Sequence, residues 1–279
     1  MRYVWLNGTL QEAEALHLDP RDRGLLLGDG LFETIAAEQG APLFFARHWR
    51  RLRAGAALLG IPLPWGAQAV LRACRALLAA NDLARRPAAL RLTLTRGPGP
   101  RGLLPPRNPR PTLLLAAFPR DPAPPPARAL LVETPRRNDR SPLSRIKSLS
   151  ALDAVLARRQ AERAGVEEAL LLNTQDRLAC AAAANLFLVC GGVLCTPPLA
   201  EGVLAGITRE RVLEAAAALG LACAERPLHP AALGEAEEAF LTNSLIGIRP
   251  LVAVDGRPLG RGREGEVTRT LRRALARPG

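Results

Sequence analysis

The sequence predicts a mixed α/β protein of two domains, a smaller N-terminal α/β domain over residues 1–118 and a larger C-terminal domain over residues 129–279. Three observations carry this prediction. Short segments that alternate apolar and polar residues are interleaved with longer segments of helical period. The length of 279 residues suits two ordinary domains, each able to bury a core. Between them, Pro119-Arg120-Asp121-Pro122-Ala123-Pro124-Pro125-Pro126 places five prolines in eight positions. Such a run can neither continue a helix nor donate to a sheet, so it makes a semi-rigid connector over 119–128.

The elements follow in order. Residues 2–6 read as a strand that turns at Asn7-Gly8 into Thr9-Leu10, a hairpin. Gly28-Asp29-Gly30 precedes a strand, Leu31-Phe32-Glu33-Thr34-Ile35; with no third glycine and no following helix, it is a tight turn rather than a phosphate loop. Arg47-His48-Trp49-Arg50-Arg51-Leu52 opens a helix to about Gly60, and a second helix covers 66–82. Strands are expected at 89–95 and 111–118, separated by a glycine- and proline-rich loop beginning at Arg96. In the second half, strands are expected at 129–133, 168–173, 184–189 and 193–195, and a strand ends in 239–244. Helices are expected over 151–164, with Leu152, Val155 and Leu156 on its apolar face, from Gly206 to about Leu219 with Thr208 as N-cap, and over 264–276.

Composition narrows the function. The formal charge is +12, yet arginines are spread along the whole chain and aromatic residues make up only 4%, which argues against nucleic acid as a partner. The positive field favours anionic small substrates. Five cysteines with no CxxC pair, and three histidines, argue against a structural metal or a disulfide framework. No segment reads as a signal peptide or a membrane span, and the expected compartment is the cytosol.

One residue stands apart. Lys147 is the only lysine among 38 lysines and arginines. Arginine remains protonated at any workable pH, whereas lysine can lose its proton and attack an aldehyde, so a single retained lysine points to covalent amine chemistry. An arginine-biased composition with one uninformative surface lysine is the alternative.

The neighbouring motifs decide between them. GDGLFET at 28–34, HWRRL at 48–52, Lys147 before a helix, AANLF at 183–187, VLAGITRERVL at 203–213 and TNSLIGIRP at 242–250 together resemble the fold type IV, or class IV, pyridoxal-phosphate enzymes. That family includes branched-chain and D-amino-acid aminotransferases and 4-amino-4-deoxychorismate lyases. The resemblance runs through almost the whole chain and implies a two-domain fold of the D-amino-acid aminotransferase kind, pyridoxal 5′-phosphate as cofactor, and a homodimer. It implies that Lys147 carries the cofactor and that Arg51 grips its phosphate. Ile207 and Thr208 would complete the phosphate site from a helix N-terminus, as such termini bind anions. Ser244 stands at the position of a small hydroxyl near the same phosphate.

Two features resemble the lyases rather than the aminotransferases: TNSLIG, where aminotransferases more often carry a glycine-threonine pair, and Leu152, where branched-chain aminotransferases carry a tyrosine. The lyase reading implies conversion of 4-amino-4-deoxychorismate to 4-aminobenzoate and pyruvate, with Thr34, Arg91, Arg96 and Arg101 as contacts for the substrate carboxylates. The alternatives are an aminotransferase for branched-chain or D-amino acids and a degenerate cofactor-binding member. One position departs from the pattern. Cys180 occupies the place of the glutamate that pairs with the cofactor's ring nitrogen, and a thiol supports a protonated ring less well than a carboxylate does.

Overall fold

The structure, a computed structural model, describes residues 1–276. The chain divides into two compact units, Met1–Asp121 with Ile146–Ser150, and Pro122–Arg145 with Ala151 onward. Both boundaries matter to the site. The first falls inside the proline run, and the second returns Lys147 to the first unit, whereas the sequence reading placed it in the C-terminal domain.

In the first unit, β1 (Tyr3–Leu6) and β2 (Thr9–Glu12) form the expected hairpin, with Asn7 and Gly8 both at positive φ as a two-residue turn demands. A one-turn helix α1 (Arg23–Leu27) ends at Gly28, which adopts φ +66. There follow β3 (Gly30–Glu38), β4 (Ala41–Pro42), α2 (Phe45–Leu59), α3 (Ala67–Ala80), β5 (Ala88–Thr95) and β6 (Thr112–Pro119). The strands build one antiparallel sheet in the order β2-β1-β6-β5-β3-β4. Alternation fixes its faces. Leu90, Leu92 and Leu94 of β5 and Leu113, Leu115 and Ala117 of β6 point to one side. There they meet Trp49, Leu52 and Ala56 of α2 and Val70, Cys74 and Leu77 of α3, which recur at helical spacing. Each fully buried leucine in this layer contributes about 1.5–3 kcal/mol. The opposite face carries Phe32, Thr34 and Arg91.

The second unit contains β7 (Ala127–Arg137), α4 (Leu152–Arg163), β8 (Glu168–Asn173), β9 (Leu178–Ala181), β10 (Asn185–Cys190), β11 (Val193–Thr196), α5 (Ile207–Ala218), β12 (Cys223–Glu225), α6 (Ala232–Glu235), β13 (Glu238–Asn243), β14 (Gly247–Val254), β15 (Arg257–Pro258) and α7 (Glu266–Ala276). Its sheet runs β12-β11-β10-β13-β14-β7-β8-β9, and β9 pairs again with β10 through Cys180 and Asn185. Six strands thus close a ring, which removes the edges of those strands. Leu170, Leu186, Leu188 and Leu241 share one apolar cluster of this sheet. The stacked Phe187 and Phe240 rings, 4.9 Å apart, pack with residues of α5 and α7 in another.

Two expected details are corrected. Helix α4 turns Ala157 and Ala161, not Leu152, Val155 and Leu156, to the sheet, because alanines let the backbone approach closely; Leu152 is 77% exposed. Helix α5 is N-capped by Gly206, which leaves Thr208 buried as its second residue rather than as the cap.

Candidate active site

The position of Lys147 follows from an incomplete edge. Strand β4 covers only the far end of β3, pairing with Ala37 and Glu38, and leaves the start of β3 without a neighbour on that side. Residues 146–150 fill the gap. Phe32 N–H donates to the Lys147 carbonyl at 2.9 Å, Leu149 N–H donates to Gly30 O at 3.0 Å, and Leu31 and Ser148 form the bridge between them. This needs glycine at position 30, where a Cβ would overlap Leu94 O and crowd Leu149. Ile146 packs on the helix-side core. Lys147, one residue on, therefore faces the other way, and its Nζ lies 4.3 Å from the centroid of the Phe32 ring.

Thr34 and Arg91 share that face as direct cross-strand partners, and the Arg91 guanidinium carbon lies 4.0 Å from the same Phe32 ring. Arg91 is half-buried, and its guanidinium lies against this ring. On the helix side of β3, Glu33 is almost fully buried. It accepts hydrogen bonds from Arg51 Nε at 2.8 Å and from a terminal Arg51 nitrogen at 2.6 Å, and His48 Nδ1 lies 2.6 Å from its Oε2. Burial alone would raise the Glu33 carboxyl, but the hydrogen bonds from Arg51 and His48 hold it below its ordinary value. An ionised carboxylate can only accept, so Nδ1 is the protonated nitrogen of His48.

These groups set the lysine. Burial lowers Lys147 from 10.5 to about 8; the Arg51 charge lowers it further, Glu33 opposes, and Arg91 adds a smaller lowering. A substantial neutral fraction near physiological pH is what an amine needs to react with an aldehyde. The arrangement can form a Schiff base and then move a proton.

The second unit supplies a corner of a different kind. Gly206 caps α5 with no side-chain hydrogen bond, leaving the first amides of that helix, at Ile207 and Thr208, without a capping side chain. A Cβ at position 206 would overlap Asn185 Oδ1, and Asn185 is the cross-strand partner of Thr242, whose buried hydroxyl has no protein partner. Asn185 also donates to Leu204 O, and Asn243 accepts from the amides of Leu245 and Ile246, so segments 204–208 and 242–246 are fixed beside one another. Ser244 begins the second of these turns. An uncapped helix start beside an orphaned hydroxyl fits a phosphate group. Cys180 lies on β9 opposite Asn185. Burial pushes its thiol up, Arg137 opposing and Glu168 reinforcing, so it is uncharged.

The four expected carboxylate contacts separate. Thr34 and Arg91 are on the Lys147 face. The Arg96 guanidinium is engaged within the protein: its Nε and one terminal nitrogen hold both oxygens of Asp29, and its terminal nitrogens donate to Leu59 O and Gly60 O, which makes it a clamp between the Gly28 turn and the end of α2. Arg101 is exposed on the loop that Arg23 fastens through Gly102 O and Leu103 O. Sequence reasoning missed Glu33, His48 and Phe32. The signal was present, since a glutamate at a core-facing position of an apolar strand requires a cation, and His48 and Arg51 lie three residues apart on one helix face. Among the described residues no cluster of histidine, cysteine and carboxylate side chains could hold a metal ion, and no helix is long and apolar enough to cross a membrane.

Comparison with known proteins identifies the family. The class IV aminotransferase profile matches residues 30–254. A Methanocaldococcus jannaschii protein provisionally named a branched-chain-amino-acid aminotransferase is 35% identical over 96% of this chain and 93% of its own length. The crystal structure of the Escherichia coli branched-chain amino acid aminotransferase superposes with a TM-score of 0.92 at 28% identity, covering 98% of this chain and 93% of that one. The 4-amino-4-deoxychorismate lyase of Pseudomonas aeruginosa superposes with a TM-score of 0.84 at 37% identity, covering 98% and 97%. The chain is an enzyme of fold type IV and belongs to the class IV aminotransferase family, whose members depend on pyridoxal phosphate.

Proposed function

We propose that the enzyme is a lyase converting 4-amino-4-deoxychorismate to 4-aminobenzoate and pyruvate, with pyridoxal phosphate held covalently by Lys147. Arg51, the Ile207 and Thr208 amides, the Thr208 hydroxyl and Ser244 would hold the phosphate. The cofactor, when bound, takes up the electrons released at the carbon that bears the substrate amine. Lys147, once displaced by that amine, has a substantial neutral fraction at a pH near 8 and removes the proton from this carbon at its Nζ. It then returns a proton to the departing three-carbon unit, which leaves as pyruvate. Arg91 and Thr34 receive a substrate carboxylate on the Lys147 face, a pairing that would satisfy the Arg91 guanidinium.

The observation that carries the lyase reading is the uncharged Cys180 thiol in place of a carboxylate. A weakened electron sink costs most in transamination, where the cofactor alone must hold the charge, and least where aromatisation of the substrate ring drives the step. TNSLIG at 242–247 and the aliphatic, exposed Leu152 support the same choice. Aminotransfer on branched-chain or D-amino acids is the second reading, favoured by the 35% identical relative. Incubation with 4-amino-4-deoxychorismate separates them: release of 4-aminobenzoate with pyruvate is expected, and steady keto acid turnover from an amino donor without aminobenzoate would defeat the lyase.

Exposed leucines support a homodimer. Leu25, Leu26 and Leu27 of α1 stand beside the loop that carries Leu103 and Leu104, which are 82% and 83% exposed. Exposed leucines grouped in this way fit an interaction surface.

A further inference from the structure

We propose that Glu33 is the positioning residue of this site, a buried counter-charge that aims the Arg51 guanidinium and sets the charge state of Lys147. The proposal rests on the reading of Arg51 and Lys147 given above. The geometry shows why one carboxylate can do both. Both Glu33 oxygens are used by Arg51, one by Nε at 2.8 Å and the other by a terminal nitrogen at 2.6 Å, which fixes the guanidinium plane. His48, fully enclosed on the same helix, holds the second oxygen from its other side at 2.6 Å. The carboxylate is thus locked by two side chains one helical turn apart, and rotation of Arg51 would cost both hydrogen bonds.

Glu33 follows Phe32, whose amide holds the Lys147 carbonyl at 2.9 Å and whose ring lies 4.3 Å from Nζ, and the other charges that act on the amine are Arg51 on α2 and Arg91 on β5. His48 touches this set through its hydrogen bond to Glu33. Two cations favour the neutral amine and one anion opposes them, so Glu33 keeps the lysine protonated to a higher pH than burial and the two cations alone would allow. Retention of a protonated fraction matters for a residue that must return a proton as well as take one. Aspartate at this position would keep the charge but fall short of Arg51 by one methylene.

The unique lysine makes the test direct. Protein labelled with 15N at the lysine side chain gives one Nζ resonance, whose titration is read without cofactor. In Glu33→Gln the midpoint is expected to fall below the native value of about 8. The preference of the cofactor-free protein for pyridoxal 5′-phosphate over pyridoxal should fall about tenfold, the loss of one well-aimed charged hydrogen bond. Glu33→Asp should keep the midpoint and lose the preference, and it stands in for Glu33→Gln if that variant does not fold. An unchanged midpoint in Glu33→Gln, or an undiminished preference in Glu33→Asp, would overturn the proposal. Failure of the native protein to prefer the phosphorylated cofactor would instead remove the reading of Arg51, while the Nζ titration would still report on Glu33.

Discussion

The Lys147 face and the α5 corner solve the same kind of problem by opposite means. Around Lys147 the work is done by formal charges on the side chains of Arg51, Arg91 and Glu33, the last held by a hydrogen bond from the buried His48. At the start of α5 it is done by neutral groups, the uncapped amides at Ile207 and Thr208 and the hydroxyl of Thr242, with an uncharged thiol at Cys180 nearby in the sheet. A charged site can tune a pKa but must itself be neutralised by neighbours. A backbone site needs no such neighbours and cannot be deleted by replacing one side chain.

That contrast ranks the expected effects. Lys147→Ala should abolish the visible absorbance of the cofactor-loaded protein and reduce aminobenzoate release about a thousandfold or more, as measured by single-turnover kinetics. Arg91 and Arg96, neighbours in sequence, should then part company. Arg91→Met should raise KM for the dicarboxylate substrate by about 10- to 100-fold with the urea midpoint unchanged. Arg96→Met should cost about 3 kcal/mol of stability, because it leaves Asp29 half-buried with fewer partners, and should affect KM little. A shared effect on KM would return Arg96 to the substrate site.

Capture of the cofactor by the cofactor-free protein depends on the neutral amine, and the sign follows from the lowered value. Below a pH of about 8 the rate should rise about tenfold per pH unit, and above it the rate should level off, in stopped-flow absorbance. A profile that rises to pH 10 would mean that Lys147 is not perturbed. The smallest effect is expected at the neutral corner: Thr208→Val should weaken binding of pyridoxal 5′-phosphate only a few-fold by equilibrium dialysis, since the amides remain.

Much of the fold could be read from the chain because its signals are local. The Asn7-Gly8 turn, the alternation through Leu90, Leu92 and Leu94, and the proline run each act within a few residues. Lys147 stood out for a different reason, as the one lysine among arginines. Other features depend on partners distant in sequence. Arg96 looked like its neighbour Arg91 until Asp29, 67 positions earlier, took its Nε and one of its terminal nitrogens. The return of residues 146–150 to the edge of β3 depends on β4 being too short to occupy it. In α4 the leucines gave the stronger periodic signal, yet alanines face the sheet, because close approach of helix to strand rewards the smaller side chain.

The central claim is that the nitrogen of Lys147 carries the cofactor, and borohydride trapping measures it most directly. Protein incubated with pyridoxal 5′-phosphate, reduced and digested should yield one phosphopyridoxyl-bearing peptide, modified at Lys147, with the colour lost on reduction. Recovery of an unmodified Lys147 peptide from a protein that remains colourless throughout would contradict the account.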